Sequence, residues 1–241
     1  MYIDQRMLYG LLILVVIVNI FSGGFDLLGI LLTLPGVLLA ITFHEYAHAF
    51  AAYKLGDTTA KAQGRLTLNP FKHMDIIGFL MLIFAHIGWG RPVEINPNNF
   101  DRRMPIRKAE AIVAVAGPVM NFILALILTI VVYLLQVFVP SFLFTQVGII
   151  VMMILQYAVI VNVGLGVFNL IPLPPLDGSK VLMAFLPYNA VRWFEEHTQL
   201  FYLIFLLIWI TPIASYIISP VINAVVYGIN FIVGSIFGIF I

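Results

Sequence analysis

The sequence contains no cysteine. That excludes a disulfide framework and any thiolate metal site, so a metal bound here must be held by histidine and carboxylate. Charge is scarce as well. Only 10% of the 241 residues are Asp, Glu, Lys or Arg, and 62% are hydrophobic. An average soluble domain is about 25% charged. So few charges cannot cover the surface of a soluble protein of this length, and a disordered chain would be polar and charge-rich. The net charge of +1 implies neither a strongly basic nor a strongly acidic partner. No basic cluster interleaved with aromatics points to nucleic acid, and neither an internal repeat nor a low-complexity segment is present. A mean hydropathy of +1.08 leaves a polytopic membrane protein.

The few charges are unevenly placed. None of Asp, Glu, Lys, Arg or His occurs from Ala111 to Leu176 or from Thr198 to Ile241. A spanning helix needs about 20 mostly apolar residues. Apolar segments run from Met7 to Phe21, Leu27 to Tyr53, Ile76 to Trp89, Ile106 to Val139 and Val147 to Leu170. A last pair covers Leu200 to Ile210 and Val221 to Ile241, with prolines at 212 and 220 between them. The first reads as an uncleaved helix rather than a secretory signal, because Asp4 and Arg6 cancel and no clean small-x-small cleavage site follows. The segment Ile76 to Trp89 is short for a crossing and reads as re-entrant or interfacial. Weak alternation from Ala60 to Leu68 allows a short strand or β-hairpin. The expected fold is an all-α polytopic membrane protein of about six transmembrane helices. It forms a single membrane-embedded domain over residues 1–241, with a core at about 25–190 and a C-terminal helical pair at about 198–241.

Nine Lys and Arg fall between Lys54 and Lys108. The positive-inside rule places that stretch, and the polar stretch from Asp177 to His197, in the cytoplasm. The turns near Gly23, Ser141 and Pro212 are nearly free of basic residues and are expected outside, which gives an even number of crossings.

The most informative residues are His44-Glu45-Tyr46-Ala47-His48, which follow an apolar run. At helical spacing positions 44 and 48 share one face, one turn apart. Two imidazoles so placed bind one zinc ion, and Glu45 reaches a water on it. An ionisable group at membrane depth costs about 2.5–3.5 kcal/mol on insertion scales. Three of them within five residues call for a function. A catalytic zinc takes a third protein ligand. The remaining candidates are His73, His86, His197, Asp26, Asp75 and Asp177. Asp177 stands out because it follows a long charge-free run and a proline-rich turn from Asn169 to Gly178. Prolines prevent regular helix there, and unwound backbone at membrane depth is tolerated only around a buried or watery cavity.

These residues carry a family resemblance. The sequence resembles the site-2 proteases, the intramembrane zinc metalloproteases of peptidase family M50. The matching pieces are His44 to Ala49, Gly64-Arg65-Leu66-Thr67-Leu68-Asn69-Pro70, Ala116-Gly117-Pro118 with Asn121, and Asn169 to Gly178, in the family's order. The resemblance implies one zinc ion held by His44, His48 and Asp177, with Glu45 as catalytic acid and base. It also implies that Asn169, and with weaker support Asn121, serves substrate or the developing oxyanion. Its substrates would be transmembrane proteins cut in or near their membrane segments, with the site toward the cytoplasm of the cell membrane. The chain looks like a compact form without a PDZ or CBS domain. Two other functions compete. A metal-cation transporter gives Glu45 no task, and a catalytically silent scaffold would have lost a ligand or the glutamate.

Overall fold

A computed structural model describes residues 26–85, 89–210 and 213–238. These residues are almost entirely helical, in chain order α1 (Leu27–Lys54), α2 (Thr59–Ala62), α3 (Pro70–His73), α4 (Ile76–Ala85), α5 (Ile106–Phe138), α6 (Pro140–Leu143), α7 (Gln146–Asn169), α8 (Asp177–Phe185), α9 (Tyr188–Glu196), α10 (Thr198–Ile210) and α11 (Ile213–Phe237). Helix is what a greasy chain must form, because a lipid-exposed backbone has to satisfy its own hydrogen bonds. The ends are set by polar residues. Asp26 accepts from the Gly29 amide at 2.9 Å to cap α1, and Thr145 accepts from Gly148 at 3.0 Å to cap α7. Past Lys54, Gly56 takes φ +105°, which a side chain rarely adopts, and the chain leaves the helix.

Among the described residues four helices are long and apolar enough to cross a membrane: α1, α5, α7 and the Tyr216–Phe237 part of α11. They pack through small residues, as helices in lipid do. A Cβ on Gly36 of α1 would lie 2.6 Å from the Ala158 backbone of α7, and one on Gly166 of α7 would lie 2.9 Å from the Phe122 ring of α5.

Cross-contacts fix the helix directions. Along α5, Val113 meets His48 and Asn121 meets Ala40 of α1, whereas Asn121 meets Asn162 and Tyr133 shares a cavity wall with Gln156 of α7, so α5 runs antiparallel to both. On α11, Ile222 faces Gly164, whereas Gly234 and Phe237 face Tyr133 near the far end of α5. Helix α11 therefore runs parallel to α5 and starts at the Asn169 end of α7. The outside turn expected at Pro212 falls on a residue outside those described. The stretch from Asn169 to Ile213 begins and ends on one side, so α10 does not cross. With 13 residues it is about 20 Å long, too short for the hydrocarbon core. Pro220 lies inside α11 and separates nothing.

Of the six expected spans, four are present among the described residues. The segment Met7–Phe21 lies outside them. Helix α4 also fails to cross. Met74 pairs with Gly90 and the Arg91 amide bonds to His73 at 2.8 Å, so the chain between leaves and returns at one point.

The expected strand at Ala60–Leu68 is replaced by α2 and a turn. Asp57 accepts from the Thr59 amide at 3.0 Å and from its hydroxyl, which starts a helical turn. Gly64 then takes φ +65° and the Arg65 amide folds back onto Ala60 at 2.8 Å. No sheet forms among the described residues.

Candidate metal centre

His44 and His48 lie ten and six residues before the end of α1, about 15 and 9 Å inside it. Both are buried. Their Nδ1 atoms are tied to α5: His44 Nδ1 lies 2.6 Å from Asn121 Oδ1, and His48 Nδ1 lies 2.7 Å from the Val113 carbonyl. The Asn121 amide cannot be turned over. Its other end lies 3.0 Å from the Ala40 carbonyl, which only accepts, so that end is the NH2 group and the end facing His44 is oxygen. In their neutral form both imidazoles therefore carry the proton on Nδ1, which leaves both Nε2 lone pairs bare.

Those lone pairs converge. The two Nε2 atoms are 2.9 Å apart, and each is 3.2 Å from Asp177 Oδ2. Asp177 Oδ2 is buried and has no hydrogen-bond partner among the described residues. Three acceptors with no proton between them repel one another, and a cation resolves the conflict. A tetrahedral zinc with bonds of about 2.0–2.2 Å sets its ligand atoms about 3.3–3.6 Å apart. The triangle observed is a few tenths of an ångström tighter, so the group could hold a metal ion.

Two close packings give Asp177 and the histidines room. A Cβ on Gly117 of α5 would sit 2.5 Å from His48 Nε2 and 2.7 Å from His44 Cε1. A Cβ on Gly178 would sit 2.5 Å from the Ile171 carbonyl, so only glycine lets α8 lie against the turn that ends α7. Leu176 is buried beneath that turn and Ser179 donates to its carbonyl at 2.6 Å, which fixes the start of α8 and with it Asp177.

Glu45 points toward a loop. Its Oε2 accepts from the Val93 amide at 2.8 Å. The loop is held against the end of α1 by Asp57, which also accepts from the Asn96 amide at 2.8 Å and from Asn99 Nδ2 at 2.9 Å. Burial alone would push the Asp57 carboxyl up, but the bonds from Thr59, Asn99 and Asn96 outweigh it and hold it below the usual carboxylate range.

The other expected site residues sit as follows. Asn121 was expected at substrate or oxyanion; it is instead fully buried behind His44, with its remaining donor on Asn162 Oδ1 at 3.1 Å. Asn169 is half-buried, and its Nδ2 donates to the Leu165 carbonyl of its own helix at 3.0 Å. Asp26 caps α1 and Asp75 accepts from the Gly78 amide at 2.7 Å, so both are occupied as local caps. His73 is fully buried with Nε2 on the Thr67 carbonyl at 2.8 Å. His197 bonds to Trp193 of its own segment at 2.8 Å. His86 lies outside the described residues. A separate cavity of about 290 Å³ between α5, α7 and α11 borders none of the candidate residues.

Sequence reading missed Asn162. Its signal was present, since a polar amide in a charge-free span faces the bundle interior. Its position two turns before Asn169 puts it on the face that α5 covers. It completes the relay behind His44 by accepting from Asn121 and donating to the Ala158 carbonyl at 2.8 Å.

A membrane-embedded helical bundle with a buried His-His-Asp cluster beside a glutamate defines a class, that of intramembrane metal-dependent hydrolases. Comparison with known proteins gives the family. The model of peptidase family M50 matches residues 32–211, and the chain belongs to that family. YwhC of Bacillus subtilis (strain 168), which carries a zinc-metalloprotease name, is 37% identical over 191 residues, covering 78% of this chain and 84% of that protein. Rip2 of Mycolicibacterium smegmatis (strain ATCC 700084 / mc(2)155), named likewise, is 32% identical over 76% of this chain and 68% of its own length. MJ0611 of Methanocaldococcus jannaschii (strain ATCC 43067 / DSM 2661 / JAL-1 / JCM 10045 / NBRC 100440) is 28% identical over 86% and 97%. No solved structure matches the chain significantly. The protein is an intramembrane zinc metalloprotease of the site-2 protease type.

Proposed function

We propose that His44, His48 and Asp177 hold the zinc and that Glu45 is the catalytic acid and base. The observation that carries this reading is the convergence of two bare Nε2 lone pairs and an unpartnered carboxylate oxygen at 2.9–3.2 Å. Zinc, when bound, supplies a Lewis acid and brings the pKa of its water toward about 7.

The chain's own residues do the rest. Glu45 takes the proton of the attacking water as general base and returns it to the leaving amine as general acid. The Val93 amide orients its carboxylate and leaves the second oxygen for that proton. Asn121 and Asn162 keep the His44 proton on Nδ1, which preserves the Nε2 lone pair. Asn169 Nδ2 has a second N–H beyond the one given to Leu165, and it is the donor proposed for substrate or oxyanion.

The substrates we propose are membrane proteins cut in or near a transmembrane segment, as in regulated intramembrane proteolysis. A helix hides its carbonyls in its own bonds, so such a segment unwinds before it is cut. We place the Lys54 end of the bundle in the cytoplasm of the cell membrane, on the basic residues from Lys54 to Lys108. Residues 1–241 act as one membrane-embedded domain, with Met7–Phe21 as a further crossing.

The reading is tested with Asp177→Ala in the purified full chain, by zinc analysis and by cleavage of a membrane-helix substrate. Zinc and cleavage should be lost together. A full zinc complement in the variant would remove Asp177 from the ligand set.

A further inference from the structure

A second cavity, of about 360 Å³, is lined by Gln63, Arg65, Phe71, Lys72, Arg91 and Glu94, and Arg91 lies two residues before the Val93 amide that holds Glu45. We propose that it is a subsite for a carboxylate side chain of the substrate, a reading that rests on the protease function above.

Its lining carries three cations and one carboxylate, and that carboxylate is engaged: Glu94 Oε2 accepts from Gln63 at 2.6 Å. Arg65 is the built element. It is 5% exposed, and the one hydrogen bond of its guanidinium among the described residues goes from a terminal nitrogen to the Arg91 carbonyl at 2.6 Å. Its Nε has no partner there, and no carboxylate lies within ion-pair distance of it among the described residues. Glu45 and Glu94 act on this guanidinium only from beyond ion-pair distance; a buried guanidinium with no carboxylate in contact is costly, and an entering anion relieves that cost. The guanidinium fork suits a carboxylate, which it can bind with two parallel hydrogen bonds.

The position of the cavity favours a peptide over other anions. Arg65 holds the Arg91 carbonyl, and Glu45 is held by the Val93 amide two residues further along the same loop. An extended peptide advances about 3.3 Å per residue. A chain presented to Glu45 therefore reaches the cavity within a few residues of the bond being cut. Phe71 is 80% exposed and supplies an apolar wall for the methylene stem of a glutamate. Glu94 opposes a doubly charged phosphate more than a single carboxylate.

The test uses the purified, zinc-loaded full chain in detergent. A fluorescent apolar 14-residue peptide carries one glutamate, moved along the peptide in a series, and each member has a glutamine twin. Binding is read by anisotropy immediately after mixing, before the peptide is turned over. At one register the glutamate peptide should bind about tenfold tighter than its twin, as one charge-assisted contact would give. The rim pair Lys72→Gln with Arg91→Gln should abolish the difference, and Lys72→Glu with Arg91→Glu should shift the preference to a lysine peptide, with zinc content unchanged throughout. Equal binding of every glutamate and glutamine twin overturns the subsite. Loss of the preference in phosphatidylglycerol bicelles but not in phosphatidylcholine bicelles also overturns it, in favour of a lipid phosphate. Because binding is read without cleavage, an inactive but discriminating protein would count against the protease reading and leave the anion site standing.

Discussion

His44 Nδ1 lies 2.6 Å from Asn121 Oδ1, and the same asparagine amide is locked at its other end by the Ala40 carbonyl at 3.0 Å. One buried side chain on α5 thereby decides which nitrogen of a histidine on α1 is free. Asn121→Leu removes the acceptor that holds this tautomer. Zinc affinity should fall about 10–100-fold, the usual cost of losing such a partner. Competition with a chromophoric chelator measures it. An unchanged affinity would mean that Asn121 only packs.

Gly117→Ala places a methyl group 2.5 Å from His48 Nε2. The imidazoles cannot retreat, because their Nδ1 atoms are bonded to α5. Zinc binding and cleavage should both drop at least about tenfold. Gly228→Ala is the control: a Cβ there meets nothing within 4 Å, and both properties should be kept. Equal behaviour of the two variants would show that small-residue packing alone explains Gly117.

Asp57→Ala strips the acceptor from Thr59, Asn96 and Asn99. Losing these hydrogen bonds to a charged acceptor costs about 1.5–3 kcal/mol, read as a lower unfolding midpoint in detergent. The loop that presents Val93 to Glu45 loosens as well, so cleavage should fall while zinc stays bound. The Asp57 carboxyl is held below its usual value, so its contribution is full above about pH 4 and is lost as pH falls through the lowered value. A variant as stable as the parent at pH 7 would contradict this.

His73 gives a second pH effect. Burial pushes its pKa below the usual imidazole value, against the Thr67 carbonyl, which accepts its Nε2 proton. The folded state therefore prefers neutral His73. Its contribution is full above about pH 6.5 and is lost as pH falls from there toward the lowered value, because the unfolded chain takes the proton first. His73→Gln keeps a donor for Thr67 and removes the titration. The fall in unfolding midpoint between about pH 6.5 and 5 should be shallower in the variant than in the parent. Equal slopes would assign the acid sensitivity elsewhere.

The direction of α11 is testable because the chain has no cysteine. Ser141→Cys and Gly238→Cys should label from one side of the membrane, and Lys180→Cys from the other. The hairpin expected from the prolines at 212 and 220 would put positions 141 and 238 on opposite sides.

Much of this was legible in the sequence. The bounds of α1, α5 and α7 follow the apolar runs to within a residue or so, because hydrophobic length is dictated by lipid. The His44-Glu45-x-x-His48 spacing gave one face of a helix directly. Asp177 was distinguished by a proline-rich turn after a charge-free run. What could not be read was tertiary. Composition does not tell a 13-residue apolar helix that stays on one side from half of a hairpin, so α10 was misjudged. The alternation at Ala60–Leu68 is weak, and the side chain of Asp57 overrides it. His73 stands among polar neighbours in sequence, yet the chain folds over it. Asn121 and Asn162 are apart by 41 residues, and only the antiparallel packing of α5 on α7 joins them.

Glu45 moves the proton without holding the metal in the mechanism proposed. Glu45→Gln in the purified chain, assayed for zinc and for cleavage of a membrane-helix substrate, tests it most directly. The expected result is one zinc per chain, as in the parent, with cleavage abolished. A variant that cleaves at the parent's rate would contradict the mechanism.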